Sequence, residues 1–369
     1  MIRVLEVVND MHRAGLETML MNYYRNIDRN KIQFDFLTHR PYESDYDEEI
    51  KALGGRVFHA PRLYPQNYPT YFRYMSSFFY KHPEYKIVHS HIDAMSYLPL
   101  KAAKVANVPV RIAHSHNTSI DKDFKYPLKM YFRSRIPSVA NHYAACGQAA
   151  GNFLFPGKDF QFIPNAIEPQ SFLFNSEIRE LYRNKLGFTD QNFVIGHVGR
   201  LSYQKNHKFL IKLFKRIHEK EPNARLVLVG TGEKERKIRE QVHKLNLTKT
   251  VIFLGNRSDV NKLYQAFDVL VMPSLFEGIP VVGIEAQFSG LPVVFSNKVP
   301  EEVDFSKKCD FISLHMPSEY WKNQILNYKN QERSNVEVLK NSIYNIKNAV
   351  PILENYYLKL SKKRGNKNV

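Results

Sequence analysis

Two glutamates and two cations, each placed just after an apolar run, are the residues of this sequence best suited to chemistry. Glu277 and Glu285 stand eight positions apart in Pro-Ser-Leu-Phe-Glu-Gly-Ile-Pro-Val-Val-Gly-Ile-Glu, which runs from Pro273 directly after the apolar stretch ending at Met272. Gly278 and Pro280 mark a helix start, because proline suits a first turn whose N–H groups have no partner. Such a helix turns the N–H groups of Gly278, Ile279, Val281 and Val282 toward a ligand, and that is a diphosphate site. A carboxylate beside it does not help to bind phosphate but accepts hydrogen bonds from vicinal hydroxyls, so both glutamates read as hydroxyl clamps. The plainer alternative makes Glu277 a helix-start charge and Glu285 a surface residue. A second apolar run, Phe193–Val198, leads into Gly-Arg-Leu-Ser-Tyr-Gln-Lys-Asn from Gly199. Arg200 and Lys205 therefore share one loop, where a guanidinium fork and an ammonium can neutralise a departing pyrophosphate. An exposed basic loop in a basic protein is the alternative.

These residues need strands to carry them, and the sequence supplies two series. Ile2–Val8, Phe34–Leu37, Ile87–His89, Val110–Ala113 and Val139–Ala145 are short apolar runs separated by helix-length amphipathic segments such as Leu16–Ile27. The alternation predicts an α/β domain around a parallel sheet. A second series runs through Phe193–Val198, Arg225–Val229, Val251–Leu254, Val269–Met272 and Pro292–Phe295, and beyond Pro300 helices are expected. Two doubly wound, Rossmann-like domains follow, 1–170 and 171–345, facing each other across a cleft. The two-proline stretch Ile163–Pro169 and the polar stretch around Asn175–Asn184 read as the connection, within 165–190. A last helix, Pro351 to about residue 365 with proline in its first turn, is expected to pack back on the first domain, its basic end Lys362-Lys363-Arg364 frayed. In such sheets ligands sit at the carboxyl ends of strands, where these loops fall.

Composition narrows the class. A chain of 369 residues is long enough for two cores, and 43% hydrophobic with 24% charged residues is the balance of a soluble globular protein. The start, MIRVLEVVND, lacks the layout of a signal peptide, and no run approaches the roughly 20 apolar residues of a spanning helix. Cys146 and Cys309 form no ligand spacing, so a reducing cytoplasm fits. A net charge of +17 favours an anionic partner: nucleic acid, an anionic membrane face or a phosphorylated substrate. The basic and aromatic segment Phe124–Ile136 could lie on such a membrane, or pack one face and solvate the other. Gly230-Thr-Gly lacks the third glycine of a dinucleotide fingerprint, having Glu235 there, which argues against NAD. Asp45-Tyr-Asp has the spacing of a metal motif but lies in a polar loop far from the donor half, so no essential divalent ion is expected.

Taken in order, several motifs resemble those of family four, the retaining glycosyltransferases of GT-B fold, over nearly the whole chain. They are Gly199–Asn206, Val-Gly-Thr-Gly-Glu from Val229, Leu-Gly-Asn-Arg from Leu254, and Glu277 to Glu285 with seven residues between. The resemblance implies that Arg200 and Lys205 contact the donor diphosphate, Glu277 the donor sugar and Glu285 the ribose, with Gly230 in the donor half and Asn256 and Arg257 near the nucleobase. In the first domain Gly15-Leu-Glu-Thr looks like the family's glycine loop, tight approach being assured only at Gly15, since Ala14 stands where relatives often carry another glycine. His89-Ser-His follows a strand as it does there. Ala-His-Ser-His-Asn-Thr from Ala113 looks like the loop of the active-site histidine, matched to His116, with His114 as the alternative. The implied reaction moves a sugar from a nucleotide sugar, UDP foremost, to a saccharide or undecaprenyl-linked acceptor with retention, the domains closing over the donor. Likeness around Met19–Asp28 and Gln33–Leu37 points to capsule or exopolysaccharide assembly at the inner face of the cell membrane. A nucleotide-sugar epimerase on the same scaffold and a nucleic-acid-binding protein remain as alternatives.

Overall fold

The computed structural model describes residues 1–120, 123–333 and 341–362. The chain divides into two compact units, one formed by Met1–Ala166 with the segment from Ile346 onward, the other by Ile167–Asn345.

The first unit is built on a parallel sheet of β1 (Ile2–Val7), β2 (Ile32–Thr38), β3 (Val57–His59), β4 (Ile87–Ser90), β5 (Val110–Ser115), β6 (His142–Ala145) and β7 (Gln161–Phe162), ordered β3-β2-β1-β4-β5-β6-β7. Its central strands are buried on both faces, Val4, Leu5 and Val7 on β1 and Phe34, Phe36 and Leu37 on β2, as a parallel sheet covered by helices on each side requires. The outermost strands β3 and β7, of three and two residues, carry no apolar run and are missing from the sequence reading. Tyr71, Met75, Phe78, Leu98, Phe132 and Phe155 belong to the core beside this sheet.

The second unit repeats the plan with β8 (Phe193–Val198), β9 (Ala224–Val229), β10 (Val251–Gly255), β11 (Val269–Met272), β12 (Val293–Ser296) and β13 (Cys309–Ile312), ordered β10-β9-β8-β11-β12-β13. Strand β13 is a correction, because it lies beyond Pro300 where helices were expected. It is an edge strand with three half-buried residues, so its sequence shows no apolar run. In each sheet the order reverses beside the first strand, between β1 and β4 and between β8 and β11, and these are the points where doubly wound folds bind ligands.

Two further expectations change. The polar stretch around Asn175–Asn184 is not a linker but the helix Ser176–Lys185, capped by the Asn175 side chain accepting from the Ile178 N–H at 2.9 Å. Its charges have partners: the Arg179 and Arg183 guanidiniums pair with Asp268, whose carboxylate also accepts from the Val194 N–H at 2.7 Å. The last helix spans Ile346–Lys362, starting five residues before Pro351, which lies inside it. Ile346, Ala349, Val350, Leu353, Tyr357 and Leu360 form one buried stripe at helical spacing, and this burial outweighs the hydrogen bond a proline forfeits. The helix belongs to the first unit, with Glu354 accepting from the Asp28 N–H at 2.8 Å and Tyr357 edge-on to Phe34. Lys363 and Arg364 lie outside the described residues.

Candidate functional site

In the second unit the loops after β8 and β11 meet at the sheet's reversal point. The Leu275 N–H donates to the Gln204 carbonyl at 2.8 Å, and the Asn206 amide to the Pro273 carbonyl at 3.1 Å. Lys205 Nζ lies 2.6 Å from Glu277 Oε1, while the Gln204 amide donates to Glu277 Oε2 at 3.1 Å and to the Phe276 carbonyl at 2.9 Å. Both charged side chains are largely enclosed, 13% exposed for Lys205 and 7% for Glu277. A pair desolvated to this degree holds its geometry, because separating it strands a charge in a poorly hydrated place. The loop after β9 completes the arrangement at Gly230, which has φ +124°. A Cβ there would fall 2.2 Å from the Gly199 carbonyl oxygen, so only glycine lets the two backbones approach.

The helix after β11 runs Val281–Phe288 with Pro280 at its N-cap. This corrects the expected start: Gly278 and Ile279 precede the helix and Pro280 is not in its first turn, because its ψ of 119° is extended. The first-turn N–H groups of Val281 and Val282 find no acceptor within the helix, since the bonds to the Pro280 carbonyl begin at Gly283. Glu285 is buried one turn inside and accepts from the Tyr264 hydroxyl at 2.7 Å. Burial pushes its carboxyl up to about 7, against the pull of the tyrosine hydrogen bond.

The other basic candidates are held more loosely. Arg200 is 74% exposed and pairs with Glu233 at 3.3 Å, a surface pair that a ligand can displace at small cost. Arg257 forms a two-pronged pair with Asp259 at 2.8 and 2.7 Å, and Asn256 is exposed beside it, after Gly255 has ended β10. The structure thus joins Lys205, Gln204 and Glu277, and leaves Arg200 and Arg257 each bound to a neighbouring carboxylate.

The first unit places a different chemistry at its reversal point. Gly15 opens the helix Gly15–Asn26 after β1 and is exposed. Glu6 on β1, His89 on β4 with His91 just after it, His114 on β5 with His116 just after it and Tyr357 from the last helix form one hydrogen-bonded cluster. The Tyr357 hydroxyl donates to Glu6 Oε1 at 2.8 Å and lies 2.6 Å from His89 Nδ1, and His89 Nε2 is 3.1 Å from His114 Nδ1. On the other side His91 Nε2 is 2.7 Å from Glu6 Oε2, and His91 Nδ1 is 3.0 Å from His116 Nε2. Burial holds all four imidazoles well below their usual range, His91 at about 3, and pushes the Glu6 carboxyl up to about 8. His114 is enclosed inside its strand, whereas His116 lies just past the strand's end and is the one imidazole of the four that is not fully buried. Of the two histidines matched to the active-site loop, His116 is the more exposed and His114 is buried. Asp93 fixes this loop, its carboxylate accepting from the His116 N–H and from the Asn117 amide, both at 2.8 Å.

His89, His91 and His114 have the spacing to hold a metal ion. Both nitrogens of His89 and both of His91 are already engaged in the hydrogen bonds above, leaving His114 Nε2 as the free donor atom of the three. A metal would have to dismantle the cluster in order to bind. Glu6, Tyr357, Gln204 and Tyr264 are the residues that sequence reasoning missed. A carboxylate within the apolar run Ile2–Val8 was the available signal for Glu6; nothing in the sequence pointed to Tyr357.

In the segment Phe124–Ile136 the helix Tyr126–Arg135 buries Phe132 against Tyr97. Its cations find local partners: Lys129 bonds Asp123 at 3.0 Å, the Arg133 Nε–H donates to the Phe153 carbonyl at 2.6 Å, and Lys125 sits over the Tyr64 ring. Phe124 and Tyr131 stay exposed. No helix among the described residues is long and apolar enough to cross a membrane.

Comparison with known proteins agrees with this geometry. The sequence profile of the family described as Glycosyl transferases group 1 matches residues 178–307, which include Lys205, Glu277 and Glu285. The chain is 37% identical over 368 residues to the glycosyltransferase EpsF of Bacillus subtilis, covering 96% of each chain. Over 231 residues, 59% of each chain, it is 30% identical to an Escherichia coli UDP-Gal:alpha-D-GlcNAc-diphosphoundecaprenol alpha-1,3-galactosyltransferase. Among solved structures, Anabaena HepE in complex with UDP-glucose superposes with a TM-score of 0.80 at 19% identity, over 97% of this chain and 100% of that one. The two parallel-sheet units are those of the GT-B fold.

Proposed function

The chain belongs to the group 1 glycosyl transferases and is a glycosyltransferase of polysaccharide biosynthesis; from that premise we propose that it transfers a hexose or N-acetylhexosamine from a UDP-sugar to a saccharide or undecaprenyl-linked acceptor, with retention at the anomeric carbon. The observation that carries this reading is the enclosed Lys205–Glu277 pair, with Glu277 four residues ahead of a helix whose first-turn N–H groups, those of Val281 and Val282, have no acceptor within it. Cation, helix terminus and carboxylate in one place suit a diphosphate joined to a polyol.

In the proposed reaction the donor diphosphate draws Lys205 away from Glu277, and Arg200 leaves Glu233 to join it. Together with the helix N-terminus they stabilise the charge that grows on the leaving UDP. Glu277, relieved of its ammonium, accepts hydrogen bonds from the sugar hydroxyls, and Glu285 does the same for the ribose. His116 contacts the transferred sugar, and the acceptor hydroxyl attacks on the face the phosphate leaves, assisted by that phosphate. The cations and helix terminus supply the positive charge, so the reaction calls for no divalent ion. The UDP-glucose complex of HepE supports the nucleotide, and the diphosphoundecaprenol named for the E. coli relative supports a lipid-linked acceptor. Exposed Phe124 and Tyr131 among basic residues would bring the protein to the anionic inner face of the membrane, the setting for capsule or exopolysaccharide assembly.

Thermal stabilisation by UDP, GDP, ADP, CMP and their common sugars tests the reading, repeated with Arg200→Ala and Glu285→Ala. Selective stabilisation by UDP or a UDP-sugar, weakened in both variants, is the expected result. A folded protein indifferent to every nucleotide would overturn it and restore a nucleic-acid partner to consideration.

A further inference from the structure

The histidine cluster of the first unit is two rows of imidazoles meeting at one carboxylate. His114 and His89 form one row, their ring planes nearly parallel at 9° and their facing nitrogens 3.1 Å apart, and the row continues through the Tyr357 hydroxyl to Glu6 Oε1. His116 and His91 form the other and end on Glu6 Oε2. The rows lie against each other, with ring centroids 4.2 Å apart for His89 and His91 and 4.1 Å for His114 and His116.

A neutral imidazole has one N–H and one lone pair, so each hydrogen bond in a row fixes the direction of the next. Protonated Glu6 donates to one of the two rows, whereas above about pH 8 it is a carboxylate and can only accept. The Tyr357 proton then points to Oε1, His89 carries its proton on Nδ1 toward the tyrosine oxygen, and His114 on Nδ1 toward His89. In the second row His91 carries its proton on Nε2 and His116 on Nε2. Both rows thereby turn a lone pair outward, Nε2 of His114 and Nδ1 of His116. His114 Nε2 is buried with no partner among the described residues, while His116 is partly exposed.

We propose that Glu6 is a positioning residue: in its ionised form, as the shared acceptor of two imidazole rows, it fixes the tautomers of His114 and His116 so that His116 offers a lone pair, not an N–H, to its ligand. The class of group it receives is therefore a hydrogen-bond donor, a sugar hydroxyl and not a phosphate oxygen. This rests on the reading of His116 as the substrate-facing histidine. An amide in place of Glu6 has one acceptor oxygen and must donate from its nitrogen, so it satisfies one row and reverses the other.

The test is the tautomer of each histidine, read from long-range proton–nitrogen spectra of histidine-labelled protein near pH 9, about one unit above the Glu6 value, where Glu6 is ionised. In the parent protein His91 and His116 should both be Nε2–H, and His89 and His114 both Nδ1–H. In Glu6→Gln two histidines of one row should change together. No change, or change of a lone histidine, overturns the proposal. Should that variant not fold, Tyr357→Phe serves: it should disturb His89 and His114 and leave His91 and His116 as they were, and a reversal of His116 there would overturn the separation of the rows. Activity is scored alongside, with kcat expected to fall about tenfold or more for any variant that reverses His116, the worth of one hydrogen bond to a reacting group, at unchanged KM for the donor. Tautomers that respond to Glu6 while His116→Ala keeps full activity would leave the relay standing and remove the substrate-facing reading. Loss of activity in His116→Ala with tautomers indifferent to Glu6 would do the reverse.

Discussion

The two units share a strand order and place their polar residues at the same point of the sheet, yet the electrostatics there are opposite in kind. At the reversal of the second sheet formal charges are set in contact, Lys205 on Glu277, with Arg200 exposed nearby. At the reversal of the first, four imidazoles are held neutral by burial around one carboxyl whose own ionisation is opposed. On the proposed reading one scaffold serves two recognition problems. Ions suit an anion whose charge increases as the bond breaks, and directional neutral groups suit hydroxyls, which differ in orientation and not in charge.

Substitutions can break this contrast or sharpen it. The largest effect is expected from Lys205→Met, which keeps the alkyl stem and removes the ammonium: kcat/KM should fall by roughly 10²–10³, the scale of losing one group that stabilises developing charge. The variant should also melt lower, because Glu277 is left enclosed without its cation. Unchanged turnover in initial-rate assays would end the assignment of Lys205 to the diphosphate. A smaller loss, about 10²-fold in kcat, is expected for His116→Ala, with the thermal shift given by UDP unaltered. If UDP binding weakened as well, the division of labour between the units would fail. The smallest effect concerns pH. If Glu285 accepts from the ribose hydroxyls as proposed, it must do so as a carboxylate, so UDP affinity by calorimetry should improve as pH rises through about 7, by at most about tenfold per unit, and become flat in Glu285→Gln. The sign for folding is the opposite: a carboxyl raised by burial favours the folded state while protonated. Relative to the glutamine variant, the unliganded protein should therefore lose stability as pH climbs from 4.5 toward 7.

The sequence disclosed the donor half more fully than the other half, and the reason is physical. Arg200, Lys205 and Glu277 lie in loops directly after apolar strands, and Glu285 one turn into the helix that follows, where local spacing alone places them. Glu6 was visible only as an anomaly, one carboxylate inside an apolar strand, because its role depends on partners beside β4 and from residue 357. Edge strands β3, β7 and β13 were hidden because a half-buried strand needs no apolar run. The helix Ser176–Lys185 resembled a linker because its charges are neutralised by Asp268, some 85 positions away. The true start of the last helix was masked by Pro351, a local signal overruled by burial.

The reach from Glu6 to Tyr357 also has a consequence in time. The two residues are 351 positions apart, and at the usual ~5–20 residues per second of synthesis Glu6 leaves the ribosome roughly 20–70 s before its hydroxyl partner exists. The second unit is one uninterrupted stretch and can be finished in the meantime. The first strand made is thus the last to receive its full set of partners, and a chain interrupted between residues 346 and 356 would hold the whole second unit while its histidine rows lacked their hydroxyl.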